Sequence, residues 1–111
     1  MEDRELKYLE ACNLIDIRKF DEAEKIFTDL LKEDSHNHLY FNKMGVIRAS
    51  QHKLEEAKGY FKACIDVKPD YAPAIVNLGN LYLEEADYET ALGYYEQALL
   101  KDSNYHLAYY N

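Results

Sequence analysis

The chain has 111 residues, of which 48% are hydrophobic and 31% charged; that is one domain's length and enough apolar material for a core, which excludes a second folded domain and a disordered chain. No apolar run approaches the roughly 18 residues that a membrane-spanning helix needs, so no membrane partner is expected. Thirteen basic against 21 acidic residues give a net charge of -8, which repels a phosphate backbone and excludes nucleic acid as the expected partner.

In chain order, helical periodicity predicts helices near 4–17, 21–33, 38–50, 55–67, 72–85 and 89–101. They fall into pairs, because the sequence repeats with a period of 34: Ala23, Ala57 and Ala91 stand at that spacing. Four residues after each alanine comes an aromatic, Phe27, Phe61 and Tyr95, and three before it a large apolar residue, Phe20, Leu54 and Tyr88. Twelve before it comes a small residue, Ala11, Gly45 and Gly79, and seven after it Leu30, Cys64 and Ala98. The columns divide the chain into repeats 4–37, 38–71 and 72–105, with 106–111 beginning a fourth; 1–111 is read as one domain. A small residue lets two helices approach closely, and the partner's aromatic fills the space. Carboxylates of EEADYE fall where the next helix begins and oppose the positive end of its dipole. Pro69 and Pro73 lie where one repeat ends and the next helix starts.

NLGNLY at 77–82 followed by DYETALGYYEQAL at 87–99 resembles the tetratricopeptide repeat, and the middle repeat matches through Phe41, Met44, Gly45, Ala57, Phe61 and Pro69. Three departures stand out. Ser103 replaces the terminal proline, Arg48 occupies the column of Leu14 and Tyr82, and Lys7 and Glu10 stand where Phe41 and Met44 do. The last suits a first helix whose outer side faces water. The resemblance implies an all-α fold, a right-handed superhelix of antiparallel helix pairs, whose concave groove binds a peptide or partner helix. The matching groove positions are Tyr8, Leu9, Cys12 and Ile15 in the first repeat. They are Asn42, Lys43, Val46 and Ala49 in the second, and Val76, Asn77, Asn80 and Leu83 in the third. A subclass that grips acidic chaperone tails uses cations at positions held here by Tyr8, Pro73 and Asn77, so that mode is not expected.

For Asn77 and Asn80 two readings stand: solvated helix-face residues, or contacts to a ligand's backbone, since a carboxamide donates and accepts together. Arg48 is expected to snorkel, its stem packed and its head in water, with a groove cation as the alternative. Cys12 and Cys64 are read as free thiols. The amino terminus MEDRELKYLE puts acids where an export signal has bases, and a cytoplasmic location is expected.

His36 and His38 bracket Asn37 at one repeat junction and His106 sits at another; they are too far apart for one metal, and no metal or cofactor is expected. No phosphate loop, activated nucleophile or HExxH occurs, and an enzyme is not expected. Charge is uneven, at -5 for residues 1–34, +3 for 35–68 and -6 for 69–111; either it selects a partner basic at its ends and acidic at its centre, or it has no ligand meaning. Two functions from different classes remain, a protein–protein interaction module or a structural segment of a longer solenoid. HLAYYN at 106–111 starts a first helix, with Tyr109 in the column of Ile75 and Asn111 in that of Asn77. Self-association through this carboxyl-terminal end is expected.

Overall fold

The computed structural model describes residues 3–101. Ser103, His106 and the start of a fourth repeat lie outside them. Within the described residues are six helices and no strand: α1 (Asp3–Asp16), α2 (Phe20–Glu33), α3 (His38–Ser50), α4 (Leu54–Val67), α5 (Ala72–Glu84) and α6 (Tyr88–Lys101). The bounds agree with the predicted helices to within one residue, because the 34-residue register places each helix end three times over.

Two alternating junctions connect the helices. Inside each pair, the first helix ends on a residue with a left-handed backbone, Arg18, His52 or Ala86, at φ 64°, 61° and 63°. These too are 34 residues apart. The residue after each returns its N–H to the helix, Lys19 to the Leu14 carbonyl, Lys53 to that of Arg48 and Asp87 to that of Tyr82, at 2.8–2.9 Å. That is a Schellman close, and at all three places it is built without glycine. Between pairs, Asn37 caps α3, its Oδ1 accepting from the Leu39 N–H at 2.9 Å while its Nδ2 donates to Asp34 at 3.0 Å. At the equivalent start of α5, Pro73 lies in the first turn, where its missing N–H costs nothing.

Within each repeat the two helices meet through the predicted columns. Ala23, Ala57 and Ala91 are all buried. A Cβ on Gly45 would collide with the Phe61 ring, and one on Gly79 would lie 2.8 Å from the Tyr95 ring. These glycines are therefore the sites of closest approach. Phe27 and Phe61 are fully buried, and burying such a side chain contributes about 1.5–3 kcal/mol.

Between repeats the chemistry is different. Arg48 Nη1 donates to Glu24 Oε1 of α2 at 2.7 Å and to Gln51 at 2.9 Å. Its Nε stands 3.0 Å from Glu56 Oε1, close enough for an ion pair but with the N–H aimed at no acceptor. The expectation that the head of Arg48 reaches water is thus corrected: only 11% of the side chain is exposed, and carboxylates from α2 and α4 hold it. It is not a groove cation either. At the next seam the cation comes from the other helix. Lys58 of α4 donates to Glu85 at 2.6 Å and to Glu55 at 2.9 Å, and its ammonium lies 4.5 Å from the centre of the Tyr82 ring. The basic middle segment therefore spends two of its six cations on acids of the repeats on either side, a use that the segment charges alone did not reveal.

Candidate functional site

The first helices of the three repeats run side by side. Tyr8 of α1 packs on Tyr40 of α3 at 5.9 Å between ring centres. Asn77 Nδ2 of α5 donates to Asn42 Oδ1 of α3 at 3.1 Å, and His52 and Glu84 approach to 3.9 Å at the far end.

Taken upward from the residues, the predicted groove positions divide into three groups. Tyr8 and Cys12 are half-buried and engaged in the first core cluster. The Tyr8 ring meets Phe27 edge-on at 6.0 Å, and burial, with the Cys12 thiol as neighbour and hydrogen-bond partner, raises its hydroxyl above the usual range. Val46, Ala49 and Val76 are half-buried and pack on the second and third clusters. Ile15 does the same in the first, while Leu9 and Leu83 are exposed.

The third group is polar. Asn42 is only 5% exposed, so its bond to Asn77 is what makes its burial tolerable. For Asn77, the reading as a merely solvated amide gives way to an amide pair tying α3 to α5. One Nδ2 on Asn42 and one Oδ1 on Asn77 are left over. Asn80 is exposed and accepts from the Tyr95 hydroxyl of α6. Lys43, next to Asn42, is half-buried and makes no ion pair with a described residue.

Sequence reasoning did not find the open pocket of about 350 Å³ at the start of this face, lined by Arg4, Tyr8, Leu9, Leu39 and Tyr40 and closed by Asp34 and Asn37. Arg4 reaches toward Asp34 across it, at 3.9 Å. Its signal in the sequence is Asn37, which caps α3 and holds Asp34 at the pocket wall. His38, one of the two histidines at the first repeat junction, is packed edge-on against the Tyr71 ring at 4.7 Å, and burial lowers its pKa. Both cysteines are free; Cys64 is fully buried, which pushes its thiol up to about 11. Among the described residues no group of three His, Cys, Asp or Glu side chains is placed to hold a metal ion. No described helix is long and apolar enough to cross a membrane.

Helix hairpins of one length, stacked so that each touches only its neighbours, define an α-solenoid. The chain belongs to the tetratricopeptide repeat family, whose model matches residues 48–111. A DnaJ homolog subfamily C member 7 homolog of Dictyostelium discoideum is 28% identical over 110 residues, 88% of this chain and 20% of that protein. The Hsp70-Hsp90 organizing protein of Triticum aestivum is 29% identical over 84 residues, covering 76% of this chain and 14% of that protein. The chain therefore spans a fifth or less of these relatives. Among solved structures, the TPR domain of Sgt2 from Aspergillus fumigatus superposes with a TM-score of 0.84 at 20% identity, over 94% of this chain and 69% of that one. The second TPR of Spaghetti (RPAP3), bound to the HSP90 peptide SRMEEVD, gives 0.80 at 18% identity over 91% and 94%. At these identities the structural likeness shows the fold.

Proposed function

We propose that this chain is a protein–protein interaction module that holds an extended peptide or partner helix along the face of α1, α3 and α5. The observation that carries the reading is the Asn42–Asn77 pair with its remaining donor and acceptor, together with Lys43, which follows Asn42 in sequence and has no carboxylate partner among the described residues. Paired amides of this kind suit a ligand's backbone, and Lys43 suits one acidic group on it. The exposed Leu9 and Leu83 at the two ends favour apolar ligand side chains there. A peptide such as SRMEEVD, held by the Spaghetti (RPAP3) domain, is a poor match, because Tyr8, Pro73 and Asn77 offer no cation to its carboxylates. The module is a binding element of the cytoplasm and needs no cofactor. Nothing in the reading calls on nucleic acid or a membrane.

The test is selection from a random peptide library on the 111-residue chain, followed by amide-resonance mapping of the selected peptide and of SRMEEVD. The selected peptide is expected to move Val46, Asn77 and Asn80 before residues of α4 and α6. Loss of one amide typically removes about 1 kcal/mol, so Asn77→Ala is expected to weaken binding several-fold. Shifts centred on Phe61 and Glu96 would place the binding surface on the second helices and refute the proposal. The second reading, a structural or self-assembling segment of a longer solenoid, draws on the apolar side chains that α6 leaves exposed.

A further inference from the structure

Each seam between repeats buries one face of a second helix. Glu24 on α2 and Lys58 on α4 occupy the same register, 34 residues apart, and each is covered by the following first helix. The third residue of that column is Leu92 on α6, and it is 47% exposed. Tyr88, one turn earlier, is 66% exposed. The apolar stripe of α6 that corresponds to the covered stripe of α4 thus faces outward among the described residues. Along one side of it run Glu89 and Glu96, two helical turns apart, both exposed and neither in an ion pair with a described residue.

A second copy of the chain complements this face poorly. Two α6 helices packed antiparallel about a two-fold axis bring their Glu89 and Glu96 rims to the same side, where the like charges repel. The outer side of α1 offers Lys7, Glu10 and Asn13, all exposed, where α3 and α5 use Phe41, Met44 and Ile47 and then Ile75, Leu78 and Leu81. Burying Glu10 against Leu92 would leave a carboxylate without a partner. The face asks for an apolar stripe with cations beside it.

We propose that the outer face of α6 docks an amphipathic helix of a partner protein that carries lysine or arginine alongside its apolar stripe, so that apolar residues cover Tyr88 and Leu92 and the cations meet Glu89 and Glu96. This surface is separate from the face of α1, α3 and α5, and either proposal can fail without the other.

The experiment uses the 111-residue chain and three synthetic helical peptides: one with leucines on one face and lysines beside them, its counterpart with glutamates in place of the lysines, and a scrambled form of the first with no apolar face. Fluorescence anisotropy is expected to show the lysine helix binding about tenfold or more tighter than the other two. Leu92→Glu is expected to abolish that difference. The double variant Glu89→Lys/Glu96→Lys is expected to reverse it in favour of the glutamate helix, with circular dichroism confirming that both variants remain folded. Equal binding of the lysine helix and its scrambled form would show only attraction to a net negative protein and overturn the proposal. So would no binding, as when the chain's own continuation covers α6. So too would a dimer in sedimentation equilibrium that Leu92→Glu dissolves, which would make the occupant a second copy.

Discussion

Two kinds of helix seam hold this molecule together, and they obey different rules. Inside a repeat, α3 meets α4 through Gly45, Ala57 and Phe61, and α5 meets α6 through Gly79, Ala91 and Tyr95, the same sizes in the same places. Between repeats, one register position is filled by Glu24 against Arg48 at the first seam and by Lys58 against Tyr82 and Glu85 at the second. The cation even changes sides. Close approach of two backbones admits few solutions, so its residues recur from repeat to repeat. A seam one side chain thicker can be closed by an ion pair, a cation over a ring or an apolar contact, and each seam here uses its own.

The comparison predicts where damage is greatest. Phe61→Ala opens a cavity where the Phe61 ring fills the space above Gly45, and should cost about 3–5 kcal/mol in urea unfolding. Glu24→Ala, at the seam between repeats, should cost about 2 kcal/mol, the range for a hydrogen bond to a charged group reduced for a carboxylate whose side chain is 34% exposed. Glu85→Ala should cost less again, about 1 kcal/mol, since Lys58 keeps both Glu55 and the Tyr82 ring. Equal losses for Phe61→Ala and Glu24→Ala would mean that the two seams do not differ in the way described.

This contrast also explains what could be read from the sequence. The in-repeat columns were visible because each recurs in kind, and they located all six helices. Leu14, Arg48 and Tyr82 form a column too, but it has no common chemistry, and Arg48 makes sense only beside Glu24 in a different column. Asn42 and Asn77 were both placed on the groove face, yet their bond crosses from one register position to the next. No column contains it. Likewise Arg18, His52 and Ala86 share a backbone conformation and nothing else, so the position where glycine is most favoured was invisible in their side chains.

Acid separates the seams without changing the apolar contacts inside the repeats. The hydrogen bond from Arg48 holds the Glu24 carboxyl below the ordinary carboxylate range, against a smaller opposing effect of burial. Its folded pKa is thus lower than its unfolded value of about 4.3, and the unfolded chain binds the extra proton. The stabilisation is present above about pH 4.3 and is lost as the pH falls through the folded value. The melting temperature of the native chain should therefore fall more steeply below about pH 4.3 than that of Glu24→Gln, which starts lower but is flatter. At the other extreme, burial pushes the Cys64 thiol up to about 11. The unfolded chain then loses that proton first, from about pH 8.5, and stability declines as the pH rises toward 11. Cys64→Ala should remove that part of the alkaline slope. Parallel curves for native chain and variant would show that the group does not titrate with unfolding.

The smallest effects have the opposite sign and test the seams from outside. Gly45 and Gly59 lie in one repeat, the first beneath Phe61 and the second with no atom within 4 Å of an added Cβ. Gly59 therefore carries the entropic penalty of a glycine within a helix and returns no close contact, and Gly59→Ala should stabilise by about 0.5–1 kcal/mol. Gly45→Ala should instead destabilise, by about 1–3 kcal/mol, because the Phe61 ring must move. Ala86 presents the reverse case. Its φ of 63° strains a side chain by roughly 1–2 kcal/mol, and removing the Cβ returns part of that against the extra freedom of glycine in the unfolded chain. Ala86→Gly should thus gain about 0.5 kcal/mol, seen as a higher urea midpoint at unchanged slope. Alanine raising stability at 59 while glycine raises it at 86 is the pattern expected if backbone conformation alone governs these exposed positions. A loss at both would mean that Gly59 and Ala86 are held by contacts that the described residues do not contain.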